Sequence, residues 1–273
     1  MPYLLIAPAI AFCVIFRALP LVVVGGLSFW KTDFMEWEFA GWENYAKIFT
    51  TDLWQPIPNT AWYVILIVPA TVLTSLFIAL IAQHVSARRQ HVIRFLFYLP
   101  SLVSGMVISM LWKWVFHYDG VVNWFAMRMG FERVIWFSDR ITSVVPISFI
   151  QVLTGTGFYV IIFMAALKAI PVEHYDAARV EGATRGQIRR RVMIPQILPT
   201  VGLATMMITA MSLQMFGWVY MLAPYPYAAT MMYTIFHEGF LYGRFGVASA
   251  YSVLLMAITV GVIYAQRRIK RWR

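Results

Sequence analysis

The sequence predicts an all-α integral membrane protein with six transmembrane helices. Of its 273 residues, 61% are hydrophobic and only 12% are charged, whereas about a quarter of the residues in a soluble domain are charged. Backbone polar groups in lipid must be paired within the segment that carries them, so apolar stretches of about twenty residues are predicted to be spanning helices. Six stretches meet this criterion, residues 2–27, 61–82, 95–116, 143–167, 200–222 and 247–264.

The first apolar stretch is predicted to be a retained membrane span. It lacks the basic segment and the small-residue cleavage pattern of a secretory signal, and it is longer than the apolar part of one. Arg17 lies inside it and is unfavourable there unless it faces a partner subunit or reaches the headgroups. Both alternatives stay open. Cys13 is the only cysteine, so we expect neither a disulfide nor a metal site built on sulfur ligands.

The distribution of charge predicts the topology. The net charge is +10, and fourteen of the 22 Lys and Arg residues lie between the second and third stretches, between the fourth and fifth, or after the sixth. The positive-inside rule places these three regions in the cytoplasm, together with both termini. Nine of the twelve acidic residues lie in the other loops. Because the basic residues flank membrane spans, they do not indicate a nucleic-acid partner.

A polar segment between the fourth and fifth stretches has the pattern of two short helices; we call residues 171–195 the knuckle. The first helix is predicted to end at Gly182, which supplies a C-terminal stop. Thr184 and Gln187 then form a Thr-x-x-Gln capping box for the second helix, which is predicted to end at the boundary set by Pro195.

One face of the first knuckle helix is predicted to contact a partner. Val172, Tyr175, Ala178 and Arg179 are three or four residues apart, so they are neighbours on a helix surface. Such a face could enter a groove on a second protein. The alternative is a helix pair that lies on the lipid headgroups.

The knuckle resembles the EAA loop in the inner-membrane subunits of bacterial binding-protein-dependent ABC importers. Asp176-Ala177-Ala178 stands for Glu-Ala-Ala, Gly182 has the family spacing, and Val192, Ile194 and Pro195 match the Ile-x-Leu-Pro ending. In that family the loop is the coupling helix that docks on a cytoplasmic ATPase. The residues to which the resemblance assigns this coupling are Tyr175, Asp176, Ala177, Ala178, Gly182, Ala183 and Pro195.

The resemblance covers nearly the whole chain and implies a type I ABC importer (MetI-like) permease fold in the bacterial inner membrane. Gly41, Asn44 and Tyr45 match a Gly-x-x-Asn-Tyr segment of the carbohydrate-uptake branch, as in maltose and glycerol-phosphate importers. The implied division is an N-terminal helix and periplasmic segment at 1–56, a permease core at 57–266 and a basic cytoplasmic tail at 267–273. The family's Leu-Thr-x-Gly-Gly-Pro turn is replaced by Leu-Ala-Pro-Tyr-Pro-Tyr after the fifth stretch.

Polar side chains within the fourth and fifth stretches are candidates for the substrate path. Polar groups buried in a membrane usually face a cavity or another helix, and amide, hydroxyl and aromatic groups suit a sugar. Interhelical hydrogen bonding is the equally weighted alternative. The resemblance places the path at or next to Gln151, Thr154, Gly155, Ser212 and Gln214, and Trp218 lies four residues after Gln214.

The absence of several catalytic motifs argues against other functions for the chain. The sequence contains no Gly-x4-Gly-Lys-Ser/Thr phosphate loop and no hydrolase or zinc-peptidase motif. We therefore expect a non-catalytic subunit without a cofactor of its own, with ATP and Mg²⁺ on separate ATPase subunits. No Asp or Glu lies within the six stretches, which argues against a proton- or sodium-coupled carrier. The methionines near residue 211 are predicted to be packing residues and not a copper path.

The sequence thus predicts the membrane subunit of an ATP-driven importer of a sugar or sugar derivative. The resemblance implies a second, non-identical permease, an ABC ATPase dimer and an extracytoplasmic solute-binding protein as partners. Two alternatives stay open. One is an importer of amino acids, polyamines or phosphonates, and the more distant one is a stand-alone channel or membrane enzyme.

Overall fold

A computed structural model describes residues 2–33, 36–223 and 225–269 of the chain. The described part is mostly helical, which confirms the predicted all-α class. Pro224, in the loop that departs from the family pattern, and residues 270–273 of the predicted basic tail lie outside it.

The chain forms one long succession of helices with a small hairpin near its beginning. The described helices are α1 Pro2–Cys13, α2 Leu19–Leu27, α3 Glu43–Thr50, α4 Pro56–Ala82, α5 Ala87–Leu102, α6 Gly105–Val115, α7 Val121–Arg128, α8 Arg140–Lys168, α9 Val172–Val180, α10 Arg185–Ile188, α11 Ile194–Leu213, α12 Gly217–Leu222, α13 Met231–Phe236 and α14 Phe245–Ile269. Strands β1 Trp30–Asp33 and β2 Glu36–Phe39 pair antiparallel, with Trp30 opposite Phe39. A 3₁₀ turn lies at Asp52–Trp54, and π-helical turns lie at Val14–Ala18, Arg189–Met193 and His237–Leu241.

Five helical segments in the described residues are long and apolar enough to cross a membrane, and a bent pair forms a sixth if it counts as one span. This agrees with the six predicted spans. None of the most apolar part of the first segment, Ile6–Leu27, is buried, while half of the most apolar part of Arg140–Lys168 is buried. The first span therefore lies at the edge of the helix bundle, where lipid or another subunit would cover it.

The predicted third span, residues 95–116, is wrong as one straight helix. Helices α5 and α6 meet at an angle of 94°. The backbone at Val103 and Ser104 is extended, with ψ values of 139° and 132°, and extended residues cannot continue a helix. Broken helices of this kind occur in membrane proteins where they line a cavity.

The predicted fifth span, residues 200–222, and the predicted helix end at Pro195 are also wrong. The helix is continuous over Arg185–Leu213. In the π-helical turn before Pro195, the N–H of Ile194 bonds the carbonyl oxygen of Arg189, five residues back. Pro195 then falls in the first turn of α11, where a missing N–H is tolerated.

Helices α4, α8 and α11 form the centre of the bundle. Tyr63 and Ile67 of α4, Ile147 and Phe163 of α8, and Ile197 of α11 are each at most 1% exposed. Lipid tails are as apolar as these side chains, so close van der Waals packing, and not removal from water, holds such helices together.

Helix α8 approaches the backbone of α5 at a glycine. A Cβ atom at Gly157 would overlap the carbonyl group of Phe97. The missing side chain therefore allows the two helices to pack at this distance, as small residues do in membrane bundles. By contrast, Gly155 on the same helix has no neighbouring atom within 4 Å of its Cβ position.

The Gly-x-x-Asn-Tyr segment holds the N-terminal hairpin in place through hydrogen bonds. Gly41 has a φ of +54°, which suits glycine. The buried Asn44 side chain donates to the carbonyl oxygens of Ser28 and Trp30, each at 2.9 Å. Tyr45 donates to the Ser28 hydroxyl at 2.8 Å. This segment therefore has a local structural role, while the predicted domain division near residue 57 stays a prediction.

Candidate functional site

The knuckle forms with the predicted caps. Helix α9 ends before Gly182, whose φ is +76°, and the N–H of Ala183 bonds the carbonyl oxygen of Ala178 at 2.9 Å. At the next helix, the N–H of Gln187 donates to the Thr184 hydroxyl at 3.3 Å, and the N–H of Thr184 donates to Oε1 of Gln187 at 2.7 Å. Both bonds of the predicted capping box are present.

Part of the predicted contact face of α9 points inward instead. Tyr175, Ala178 and Ala183 are partly buried and pack against the hydrophobic core. Tyr175 also donates to the carbonyl oxygen of Leu167 at 3.4 Å, and burial raises the pKa of its phenol. These contacts hold the knuckle against the bundle, and the predicted role of the three residues in coupling stays a prediction.

Only Tyr175 and Ala178 of α9 are partly buried, and Glu173, Asp176, Ala177 and Val180 are among its exposed residues. These positions are again three or four residues apart and form one stripe. Asp176 pairs with Arg179 at 3.1 Å, and the side chain of Val180 is 88% exposed. The stripe thus offers an apolar tip beside an ion pair to a partner that approaches the knuckle. Val172 and Arg179 of the predicted contact face are exposed as well, and spacing alone does not show which of its residues pack inward.

The second helix of the knuckle continues directly into a membrane-spanning helix. Because the helix that begins at Arg185 runs without a break to Leu213, Pro195 lies inside this helix and does not mark a hinge. A displacement of the knuckle would therefore be transmitted along this one helix to the middle of the bundle.

A cavity of about 670 Å³ opens beside the far end of this helix. It lies where two helical breaks meet, between α5 and α6 on one side and between α11 and α12 on the other. Its lining residues are Ser104, Gly105, Met106, Gln151, Met211, Met215, Phe216, Gly217, Trp218, Tyr220, Met221 and Phe236.

The chemistry of this cavity is neutral and amphiphilic. Its lining contains no Asp, Glu, Lys, Arg or His. Its side-chain hydrogen-bonding groups are the Ser104 hydroxyl, the Gln151 amide, the Trp218 indole N–H and the Tyr220 hydroxyl. Within the described part of the chain, none of these four groups bonds to a protein atom. Aromatic rings add flat apolar surface, with Phe216 stacked on Tyr220 at 5.2 Å between centroids.

The structure brings together two of the predicted path residues, Gln151 and Trp218, on this cavity. Thr154 and Ser212 do not line the cavity and are buried, at 8% and 1% exposure. The Thr154 hydroxyl bonds the Ile150 carbonyl oxygen of its own helix at 2.9 Å.

The other two predicted path residues lie near the cavity but do not line it. Gly155 faces open space, and Gln214 is exposed just after α11 ends. Their place on a path stays a prediction.

Several lining residues were missed in the sequence. Ser104 and Gly105 line the cavity only because the helix breaks before them, and no local pattern announced that break. The four-residue spacing of Met211 and Met215 could have marked them as lining residues, but methionine usually fills a core. Met215 is buried as expected, whereas Met211 is 60% exposed and faces the cavity.

On the outer side, the start of α4 holds the loop that follows α12. Asn59 donates to the carbonyl oxygens of Tyr227 and Ala229, each at 3.1 Å. The Thr60 hydroxyl accepts the N–H of Met231 at 2.9 Å. Asn59 and Thr60 are almost fully buried, so this network fixes the loop that closes the outer end of the bundle.

Comparison with known proteins agrees with this arrangement. Residues 72–273 match the family of binding-protein-dependent transport system inner membrane components. The chain is 29% identical to the sulfoquinovosyl glycerol transport system permease protein SmoG of Agrobacterium fabrum, covering 98% of this chain and 89% of the relative. It is 28% identical to the lactose transport system permease protein LacF of Rhizobium radiobacter, covering 80% and 74%.

The fold is also that of solved importers. A chain of a bacterial alginate ABC transporter, solved in complex with an alginate pentasaccharide-bound periplasmic protein, superposes with a TM-score of 0.85 at 21% identity, covering 98% of this chain and 93% of that chain. A chain of the MetNI methionine ABC transporter gives a TM-score of 0.58 at 14% identity, covering 80% and 94%. These likenesses confirm the predicted permease fold.

Proposed function

This chain belongs to the family of binding-protein-dependent transport system inner membrane components, and we propose that the solute it carries is a sugar or sugar derivative. It is a non-catalytic membrane subunit of an ABC importer, in which ATP hydrolysis takes place on separate ATPase subunits. We propose that ATP and Mg²⁺ bind to those subunits alone.

The observation that carries the sugar proposal is the neutral cavity beside Gln151 and Trp218. Its four unpaired polar groups can donate to and accept from hydroxyls, and its aromatic rings offer surface to the apolar face of a sugar ring. An amino acid or phosphonate would bring a charge into a lining that holds no opposite charge, which is unfavourable in a low-dielectric site. The carbohydrate relatives named above support the same class.

The knuckle supports a coupling role. We propose that the exposed stripe Glu173, Asp176, Ala177 and Val180 docks on the ATPase subunit, while Tyr175, Ala178 and Ala183 bind the knuckle to its own bundle. Closure of the ATPases would move the knuckle, and the continuous helix Arg185–Leu213 would pass this movement to the cavity. The cavity would then open alternately to the two sides, as two-state transporters do.

The remaining partners follow from exposed surfaces. We propose that a second, non-identical permease subunit completes the path, because the cavity is open and the most apolar part of the first span lacks burial within this chain. A solute-binding protein would dock on the outer side, near the loop fixed by Asn59 and Thr60. From the basic loops we propose that the knuckle and both termini lie in the cytoplasm of a bacterium.

A reconstituted complex tests the proposal. The chain would be co-purified with the permease, ATPase and solute-binding protein encoded beside it, and ATP hydrolysis would be measured in proteoliposomes with candidate solutes. We expect stimulation by the binding protein loaded with a sugar and none by amino acids or polyamines. Stimulation by an amino acid alone would assign the importer to another solute class, and a chain that purifies without an ATPase would favour a stand-alone channel or membrane enzyme.

A further inference from the structure

A second cavity, of about 710 Å³, lies on the cytoplasmic side between the end of α4 and the knuckle. We call it the basal pocket. Its lining residues are Gln83, His84, Val172, Tyr175, Arg179, Ala183, Arg185, Ile188 and Met193. None of these residues belongs to the cavity at Gln151 and Trp218, so this pocket needs a separate explanation.

The basal pocket carries an excess of hydrogen-bond donors and positive charge. Arg179 is paired with Asp176, but Arg185 has no acidic partner among the described residues. Next to the pocket, Arg189 donates to Nε2 of His84 at 3.2 Å. The amide nitrogen of Gln83 and Nε of Arg189 are buried without any hydrogen-bond acceptor. Of these two groups, the Gln83 amide belongs to a residue that lines the pocket, and no carboxylate lies among the lining residues.

The other wall of the pocket is apolar. Val172, Ile188 and Met193 line it together with the ring of Tyr175. Ile188 and Met193 are buried, at 9% and 5% exposure, whereas Val172 is 60% exposed. An inorganic anion would gain nothing from this wall. A ligand with a phosphate group and attached hydrocarbon would use both sides of the pocket.

The position of the pocket matches the level of lipid headgroups. It lies where the span formed by α4 ends and where the helix from Arg185 begins. The positive-inside rule puts this level at the cytoplasmic surface, and basic pockets between spans at that surface bind anionic lipid headgroups.

We propose that the basal pocket binds the phosphodiester headgroup of an anionic phospholipid. Arg185 and the amide of Gln83 hold the phosphate oxygens, and the apolar wall receives the first part of the acyl chains. The lipid thereby fills the space behind α9 and supports the knuckle from the membrane side. This assignment does not depend on which solute is carried.

The test measures lipid retained by the intact complex. The transporter would be purified with its ATPase subunits from membranes that contain phosphatidylglycerol and phosphatidylcholine, and bound lipid would be measured by mass spectrometry. We expect selective retention of phosphatidylglycerol, with retention reduced about fivefold in Arg185→Gln, since one basic residue near the surface is worth about 1 kcal/mol. Arg89→Gln is the matched control, because Arg89 is exposed in the first turn of α5 and does not line the pocket.

Two further measurements keep the proposal falsifiable. If Arg185→Gln fails to assemble, Gln83→Leu removes a buried donor without changing the charge, and we expect it to lower retention too. Millimolar inorganic phosphate is expected to leave the lipid bound. Equal retention in the wild type and both pocket variants, or full displacement by inorganic phosphate alone, would overturn the assignment.

Discussion

The hydroxyl of Tyr175 lies 3.4 Å from the carbonyl oxygen of Leu167. The bond joins the first helix of the knuckle to the last turn of α8, across a short connection that contains Pro171. Carbonyls in the last turn of a helix have no partner within the helix, so the tyrosine satisfies one of them and at the same time fixes the orientation of α9. The direction of the stripe that we propose docks on the ATPase is therefore set by a bond on the opposite side of the helix.

Tyr175→Phe is expected to loosen the knuckle while leaving the bundle folded. A single hydrogen bond of this kind contributes about 0.5–1.5 kcal/mol, so we expect fewer solute molecules imported per ATP hydrolysed, with little change in melting temperature. Tyr264→Phe is the control, because Tyr264 is 56% exposed. An unchanged transport ratio in Tyr175→Phe would contradict the anchoring role.

The same tyrosine predicts insensitivity to pH over the neutral range. Burial raises the pKa of Tyr175 above its usual 10.0, so its stabilising contribution is fully present below pH 10 and is lost only as the pH rises through the higher folded value. The number of solute molecules imported per ATP hydrolysed would be measured in proteoliposomes for the wild type and for Tyr175→Phe. We expect the difference between the two proteins to stay constant between pH 6 and pH 9.

Gly182→Ala is expected to uncouple ATP hydrolysis from uptake. The Cβ position at Gly182 is open, so the obstacle is its φ of +76°, which costs an L-residue about 1–2 kcal/mol. Gly186→Ala is a matched control, since Gly186 lies within α10 and its Cβ position is equally open. Solute-stimulated ATPase activity and uptake would be measured for both, and equal coupling in the two variants would speak against the proposed role of the turn.

Asp176→Lys tests the exposed stripe directly. The change reverses the charge that pairs with Arg179 without touching the buried face of α9. We expect normal insertion and folding together with loss of ATPase binding, measured by co-purification. A full complement of ATPase on the purified variant would show that the stripe is not the docking face.

Gly157→Ala is expected to separate α5 from α8. The new methyl group would collide with backbone at Phe97, which cannot move away as a flexible side chain would. Overpacking of this kind costs about 1–3 kcal/mol, so the melting temperature of the complex should fall. Gly155→Ala on the same helix meets open space and should melt like the wild type; a Gly157→Ala complex that does the same would refute the close approach.

Trp218→Leu is expected to weaken solute recognition. The substitution removes the indole N–H and the largest ring in the cavity, so the solute concentration for half-maximal ATPase stimulation should rise about tenfold, in line with roughly 1–2 kcal/mol for a lost ring contact and hydrogen bond. Trp114→Leu is the control, because Trp114 is 77% exposed and lies outside the cavity. Equal responses in the two variants would remove Trp218 from the path.

The sequence predicted those features that local patterns determine. The stop at Gly182 and the box formed by Thr184 and Gln187 need only neighbouring residues, and both are present. The helix through Pro195 was missed because a π-helical turn, which has no simple sequence signature, places the proline where it is tolerated. The helix break before Gly105 was missed because it, too, has no simple sequence signature. Gln151 and Trp218 were found as polar and aromatic groups in apolar helices, whereas Ser104 and Met211 join them only through tertiary packing.

The unbroken helix of 29 residues from Arg185 to Leu213 is a rod about 43 Å long at 1.5 Å per residue. Tilting such a rod by about 5° around its cytoplasmic end would swing the opposite tip by about 4 Å, more than the width of a water molecule. A modest rotation beneath the bilayer is then enough to seal or unseal a passage in its centre, without any helix having to unwind.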